Sequence, residues 1–401
     1  MKERRYDIDW LRVIAMLGVF VLHCTRFFCT EDWQLKVPPS EQSEILGIVR
    51  GFTLGVWLMP LFFLVAGFAA RYSLRRRTAG QYLVERVKRI LVPLYTVGMF
   101  VLVVPQDYFQ ELTDGRTTET FWQWLPSYYV TLPARVFSFT TKDYRDPVNL
   151  VPYTFSGHLW FLQLLFVILL VTLPLFLYFR SDRGQRLTER FAEWSARPGG
   201  IFLFVIPIAI FQIGLRWLPQ ATERTWADFF WYACFFVIGY IIATDDRFTQ
   251  SVKRHGWICL AIWIVVYAGV GGLFLFVLDL DMSVGQGFSA LFAVGQIVSS
   301  LVSFSAVIFV MSLGAKYLNY TNSFLSYSNE AVLPFFLLHQ TIIQIVGWYI
   351  LPLELGNLAK FLIIGVVSFP LILILYELFV RHIGFMRFLF GMAPKKQPTG
   401  Q

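Results

Sequence analysis

The segment WLRVIAMLGVFVLHCTRFFC, residues 10–29, decides the architecture. At 1.5 Å per residue its twenty residues make a helix of about 30 Å, the thickness of the hydrocarbon layer of a bilayer. Eleven residues separate Arg12 from His23. At about 100° per residue the second side chain returns to the face of the first, about 16 Å further along the axis. Arg12 therefore belongs near one membrane surface, and His23 on the same stripe inside the membrane. An ionisable group at that depth is costly and marks a functional position by default. Each residue also has a blander reading, Arg12 as a topological charge and His23 as a polar contact between helices.

The rest of the chain extends this pattern. Of its 401 residues 56% are hydrophobic and 15% charged, against about 25% charged in soluble domains. Further apolar segments of roughly membrane-spanning length follow at 52–72, 90–108, 158–179, 201–218, 226–243, 257–278, 288–312, 331–351 and 360–380. The expected fold is all-α, a polytopic membrane helix bundle of about ten transmembrane helices. With the N-terminus inside, 24 of the 34 Lys and Arg residues fall on the inner side and 15 of the 26 acidic residues on the outer side. This positive-inside asymmetry predicts that both termini are cytoplasmic. It also assigns most of the net charge of +8 to the cytoplasmic membrane surface rather than to a nucleic-acid groove.

No cleavable signal peptide is expected, because the first apolar run opens on Trp-Leu-Arg and lacks a small-residue cleavage site. Cys24, Cys29, Cys234 and Cys259 form no C-x-x-C pair, which argues against a disulfide scaffold and against a zinc site. Neither internal repeats nor inverted halves are evident. Residues 1–385 read as one membrane domain and 386–401 as a cytoplasmic C-terminal tail. The longest outer segment, 109–157, carries the aromatic run FWQWLPSYYV at 121–130. It reads as an interfacial element over the outer mouth, or as a plain aromatic belt.

Four clusters could carry chemistry. Asp9, three residues before Arg12, can pair with it on one helical face. A cytoplasmic loop runs from Arg71 and Arg75 to Arg86 and Arg89, the last two sharing a helix face. Arginine forks suit phosphate oxygens, although any positive-inside loop can look like this. His158 and Trp160, in GHLWFL, open the fourth apolar segment either as interface anchors or as site residues. His339 in the ninth segment lies about 12 Å from the cytoplasmic end of that helix, so it too is inside the membrane. His255 and His382 flank apolar segments within basic stretches and carry no assignment. A serine elbow, H-E-x-x-H, a P-loop and G-x-G-x-x-G are all missing. Two intramembrane histidines between an arginine-rich inner mouth and an aromatic outer mouth suit an anionic cytoplasmic ligand reaching a buried base. They suit a proton-coupled transporter equally.

These residues resemble the acyltransferase 3 family of integral membrane acyltransferases. Arg12 and His23 match its R-x10-H motif, and Arg86 and Arg89 its R-x-x-R motif. MPLFFLVAGF at 59–68 is similar to the second-span signature of the family, and GHLWFLQLLF at 157–166 and PFFLLHQTII at 334–343 to its later landmarks. The matches fall in family order over most of the chain, in a layout nearest the branch of bacterial glucan succinyltransferases. One departure is clear: many members have Ser-Gly-Phe where this chain has Ala66-Gly67-Phe68, so any role of that hydroxyl is lost. The periplasmic SGNH domain often fused to such proteins is not part of the sequence.

The resemblance implies transfer of an acyl group, of the acetyl or succinyl class, from cytoplasmic acyl-CoA to a hydroxyl of an extracytoplasmic glycan or other envelope molecule. The implied location is the cytoplasmic (inner) membrane of a prokaryote, with acyl-CoA as co-substrate and neither cofactor nor metal. CoA phosphates are expected at Arg86 and Arg89, with Arg71 or Arg75 nearby, and the pantetheine arm along the Arg12–His23 face. His23 would be the general base, since apolar burial keeps an imidazole neutral. Arg12 would position the arm or pair with Asp9, and His339 would stabilise developing charge or orient the acceptor. His158 and Trp160 would support the acceptor side. Expected partners are acyl-CoA, the hydroxyl acceptor and the bilayer, but not nucleic acid; a homo-oligomer is an open alternative. Two rival readings remain. A transporter or exporter would move substrate without cleaving a thioester, and a scaffold for envelope-polymer assembly would use the histidines only for stability.

Overall fold

The computed structural model describes residues 4–29, 35–137, 157–217, 225–272 and 288–394, and among them there is no strand. The principal helices are α1 (Tyr6–Thr25), α2 (Leu58–Arg76), α3 (Ala79–Leu102), α4 (Val104–Thr113), α5 (Phe121–Phe137), α6 (Trp160–Arg180) and α7 (Asp182–Ala196). They continue with α8 (Val205–Arg216), α9 (Trp226–Ile242), α10 (Asp246–Gly272), α11 (Ala290–Tyr317), α12 (Ser323–Ile350), α13 (Asn357–Leu375) and α14 (Gly384–Leu389). Dedicated caps start several of them. Thr225 and Asp228 form a reciprocal capping box on α9, and the Asn322 side chain accepts from the Leu325 N–H on α12.

Every apolar segment read from the sequence is represented by a helix, but length and continuity divide them. Among the described residues six stretches are long and apolar enough to cross a membrane: Tyr6–Phe28, Leu58–Arg76, Gly157–Arg180, Ala290–Tyr317, Ser323–Ile350 and Asn357–Arg381. Counting each of two bent pairs as one span raises the number to eight. In one pair α3 meets α4 at 46°, and in the other α9 meets the start of α10 at 115°. The apolar helix Gly200–Arg216 is shorter. The molecule is therefore a multi-pass helix bundle, with six to eight such spans among the described residues. The difference from the ten apolar segments lies in the bends and in the short α8. Residues 138–156 of the long outer segment, 273–278 of the seventh apolar segment and 395–401 of the tail lie outside the described residues.

Two contacts hold the bundle in register. The first joins α2 to α9 through glycines: a Cβ at Gly67 would overlap the Phe236 carbonyl, and one at Gly239 the Leu64 carbonyl. Reciprocal glycines bring the two backbones together, the small-residue mode of packing that membrane helices favour. The second joins α1 to α12, which run side by side in the same direction. Trp10 donates to the Tyr320 carbonyl at 3.0 Å and stacks on Phe324, Phe20 packs edge-on against Phe335, and Phe27 fills the space over Gly347.

The aromatic run becomes α5, whose Trp124, Tyr128 and Leu132 form a buried stripe with four-residue spacing. Trp124 Nε1 donates to Glu111 at 2.8 Å and the Tyr128 hydroxyl to the Met99 carbonyl at 2.6 Å, so the stripe docks on α3 and α4. Trp122 and Val130 on the opposite stripe are 77% and 80% exposed, giving an amphipathic helix laid against the bundle. At the other end of the chain Arg387 is buried. It donates to the carbonyls of Arg381 and Ala393 and pairs with Glu330 of α12 at 2.8 Å, which ties the chain through Ala393 to the bundle.

Replacing either glycine of the α2–α9 contact with alanine should destabilise the protein by at least the ~1–3 kcal/mol of core overpacking, because the obstacle is backbone. Thermal unfolding in detergent should show Gly67→Ala and Gly239→Ala melting well below the unsubstituted protein. Gly365→Ala, with open space around it, should not. Equal melting temperatures for all three would refute the close approach.

Candidate active site

The shared direction of α1 and α12 brings their polar residues together at two levels. At one end the Arg12 Nη1 donates to the Asn329 Oδ1 at 3.0 Å. Further along, His23 Nδ1 lies 2.9 Å from His339 Nε2, with the rings stacked at 4.9 Å and 20°. Eleven residues on α1 thus match ten on α12, as expected for two helices rising equally per residue. His339 is fully buried, beneath the apolar stretch Phe335–Leu338 of its own helix.

The hydrogen-bond network fixes which nitrogens carry protons. His339 Nδ1 lies 2.6 Å from the Phe336 carbonyl oxygen, which can only accept, so Nδ1 is the protonated nitrogen. In a neutral ring Nε2 must then accept, and its donor is His23 Nδ1. His23 Nε2 is left as the unprotonated, basic nitrogen of the pair. The chain of bonds has one direction, from His23 through His339 to a backbone carbonyl.

A third histidine joins from another element. A helical turn at Gly157–Leu159, with Gly157 at φ 52°, delivers His158 edge-on to the His339 ring at 5.3 Å. Only glycine adopts that φ without strain. His158 Nε2 donates to the Leu337 carbonyl at 3.2 Å, so its Nδ1 accepts from Gln106 Nε2 at 3.0 Å. Gln106 also bonds the Leu102 carbonyl and the Thr341 hydroxyl, which itself donates to Leu102. The break between α3 and α4 is thereby stitched to α12 beside the histidines. Trp160, two residues on, packs against Tyr232 at 5.7 Å. Among the described residues no group of His, Cys, Asp or Glu is arranged to hold a metal ion.

At the Arg12 end, Arg12 shares its electrostatic surroundings with Arg86 and Arg89 of α3. Glu85 organises these cations: its oxygens lie 3.3 Å from Arg77, 3.3 Å from Arg89 and 3.9 Å from Arg86. Arg86 lies over the Tyr82 ring at 5.0 Å, and its Nε is buried without a hydrogen-bond partner among the described residues. The expected Asp9–Arg12 pair is loose at 3.8 Å, because Asp9 accepts both Arg4 bonds at 2.8 and 3.0 Å. Arg71 stands apart from this group. Its guanidinium sits over Tyr240 at 5.8 Å, near Arg180, and Arg75 is exposed beyond it.

The sequence reading therefore named the histidines and the Arg12, Arg86 and Arg89 group but missed the polar residues that hold them. Asn329, Gln106 and Thr341 bond directly to site residues or organise them, and Gln340 adjoins His23. The signal that could have found Gln340 and Thr341 was the one applied to His339: polar side chains inside an apolar helix.

The glucans biosynthesis protein C of Salmonella schwarzengrund is 23% identical over 416 residues, covering 99% of this chain and 97% of that protein. Those of Salmonella paratyphi B and Salmonella enteritidis match to the same extent. No solved structure matches the chain. The profile of the acyltransferase 3 family, described as an acyltransferase domain, matches residues 5–377, and the chain belongs to that family of acyl-transferring membrane enzymes.

Proposed function

We propose that the protein is an O-acyltransferase of the bacterial inner membrane. In this reading it moves an acetyl- or succinyl-class group from cytoplasmic acyl-CoA to a hydroxyl of an extracytoplasmic glycan, with both termini in the cytoplasm. The observation that carries the proposal is the directed pair His23–His339, which presents His23 Nε2 as a base inside the membrane. A base of that kind has little use in a scaffold. Similarity along nearly the whole chain to glucans biosynthesis proteins supports a glycan as acceptor.

In this reading each residue has a distinct part. Arg86 and Arg89, beside Arg12 and preorganised by Glu85, form the cationic mouth for the CoA phosphates, with Arg71 and Arg75 on the adjoining helix end. The pantetheine arm lies along α1 from Arg12, which Asn329 holds, toward His23. His23 Nε2 takes the proton of the acceptor hydroxyl as the oxygen attacks the thioester carbonyl. His339 orients His23: one of its nitrogens is committed to the Phe336 carbonyl and the other to His23, so it has no donor to offer a developing oxyanion. His158 supports His339 from the side.

His23→Ala that still reaches the membrane should lower acyl transfer by about 10²–10⁴-fold, the usual size of a general-base contribution. Release of CoA thiol by purified protein, given acetyl-CoA or succinyl-CoA with a glucan oligosaccharide, reports it directly. Undiminished release by the variant would overturn the assignment. Thiol release also separates acyl transfer from transport, which would leave the thioester intact. Arg86→Ala and Arg89→Ala should each weaken acyl-CoA binding about tenfold or more, as expected for loss of a charge-assisted hydrogen bond. Calorimetric titration checks this, and an unchanged Kd would refute the phosphate-binding role.

A further inference from the structure

The directed pair leaves one part of the chemistry without an agent. When a hydroxyl oxygen attacks the thioester carbon, the carbonyl π electrons move onto oxygen, and a membrane interior offers that oxyanion no water. His339 has both nitrogens committed, and both His158 nitrogens are bonded as well.

Next to His339 in sequence stands Gln340, whose side chain adjoins the His23 imidazole. Gln340 is fully buried; its side chain meets the His23 imidazole, and neither amide atom makes any other hydrogen bond among the described residues. A buried carboxamide with most of its hydrogen-bonding capacity unmet is destabilising, and an apolar residue of the same shape would be better tolerated. Its position beside the base supplies the reason to keep it: an incoming ligand completes its bonds.

We propose that Gln340 is a further catalytic residue, whose amide N–H groups hold the oxyanion of the acyl-transfer step; the inference rests on the acyl-transfer reading above. The acceptor oxygen forms its bond to the thioester carbon while its proton passes to His23 Nε2. The carbonyl electron pair goes to the oxygen facing the Gln340 amide. Collapse restores the carbonyl and breaks the C–S bond, and the CoA sulfur leaves, taking the proton back from His23. The balance is one ester formed and one thiol released.

The test compares purified full-length protein with Gln340→Met, which keeps the shape and removes both polar atoms, and with Gln340→Glu, which removes the amide N–H groups. Assays measure thiol release from succinyl-CoA or acetyl-CoA with a glucan oligosaccharide, together with thermal unfolding. The expected result is turnover lower by about 10²–10³-fold, the usual loss for one oxyanion donor. KM for acyl-CoA should stay unchanged, because the bond forms only in the transition state. Gln340→Met should melt at or above the temperature of the unsubstituted protein. A Gln340→Met protein with full turnover, or with a raised KM and unchanged turnover, overturns the role, as does a marked fall in its melting temperature. No thiol release by the unsubstituted protein overturns the acyl-transfer reading itself, and this role with it.

Discussion

The hydrogen bond between His23 Nδ1 and His339 Nε2 is the interaction on which the candidate site depends. Two imidazoles inside a membrane each bring a donor and an acceptor that water cannot satisfy, and an unmet group there costs about 1–3 kcal/mol. The pair meets half of that demand by facing each other, and the Phe336 carbonyl meets a further part. Because a carbonyl cannot donate, it gives the whole chain a direction. The basic nitrogen of His23 is thus set by a backbone atom on another helix, two bonds away. Such an arrangement tolerates no slippage. A shift of α12 by one residue would rotate His339 by about 100° and break the chain.

The remaining contacts can be read as a means of preventing that slippage. Trp10 against Tyr320 and Phe324, Phe20 against Phe335, and Phe27 over Gly347 fix α1 and α12 at intervals along their whole length. Gln106 and Thr341 add a polar lock from the α3–α4 bend. That bend explains why a segment which reads as one apolar span is divided: the break turns Gln106 and the Leu102 carbonyl inward, where they bond His158 and Thr341. A straight helix would bond the Leu102 carbonyl within its own ladder and leave His158 without its acceptor-side partner.

How much of this was legible beforehand depended on whether a property was local. Depth in an apolar segment needs only residue counting, so His23 and His339 were visible as costly groups. Helical periodicity placed Arg86 and Arg89 on one face. Pairing between helices is not local, and no spacing rule could show that Asn329 rather than Asp9 would be the near partner of Arg12, or that Arg4 would take Asp9. The same limit applies to His158, which stood open between anchor and site residue until the turn at Gly157 carried it to His339. Span counting failed to register the bends because hydropathy averages over a window and does not sense the direction of the chain.

A reaction centre inside a membrane shifts the balance between two hazards. Excluding water protects a thioester from hydrolysis and strengthens every electrostatic interaction. It also removes the solvent that would stabilise charge as the reaction proceeds, so each transient charge requires a fixed partner. The cationic mouth at Arg12, Arg86 and Arg89 cannot serve, because it stands about 16 Å away along α1 by helical rise. At the mouth, half-exposed ion pairs to Glu85 are weak, so any anion arriving there would displace them with little loss. Deep in the bundle the reverse holds, and only groups already aimed at the reacting atoms are of use. The two ends of α1 therefore follow opposite rules: exchangeable charge at the arginine cluster, and committed, directional hydrogen bonds at the histidine pair.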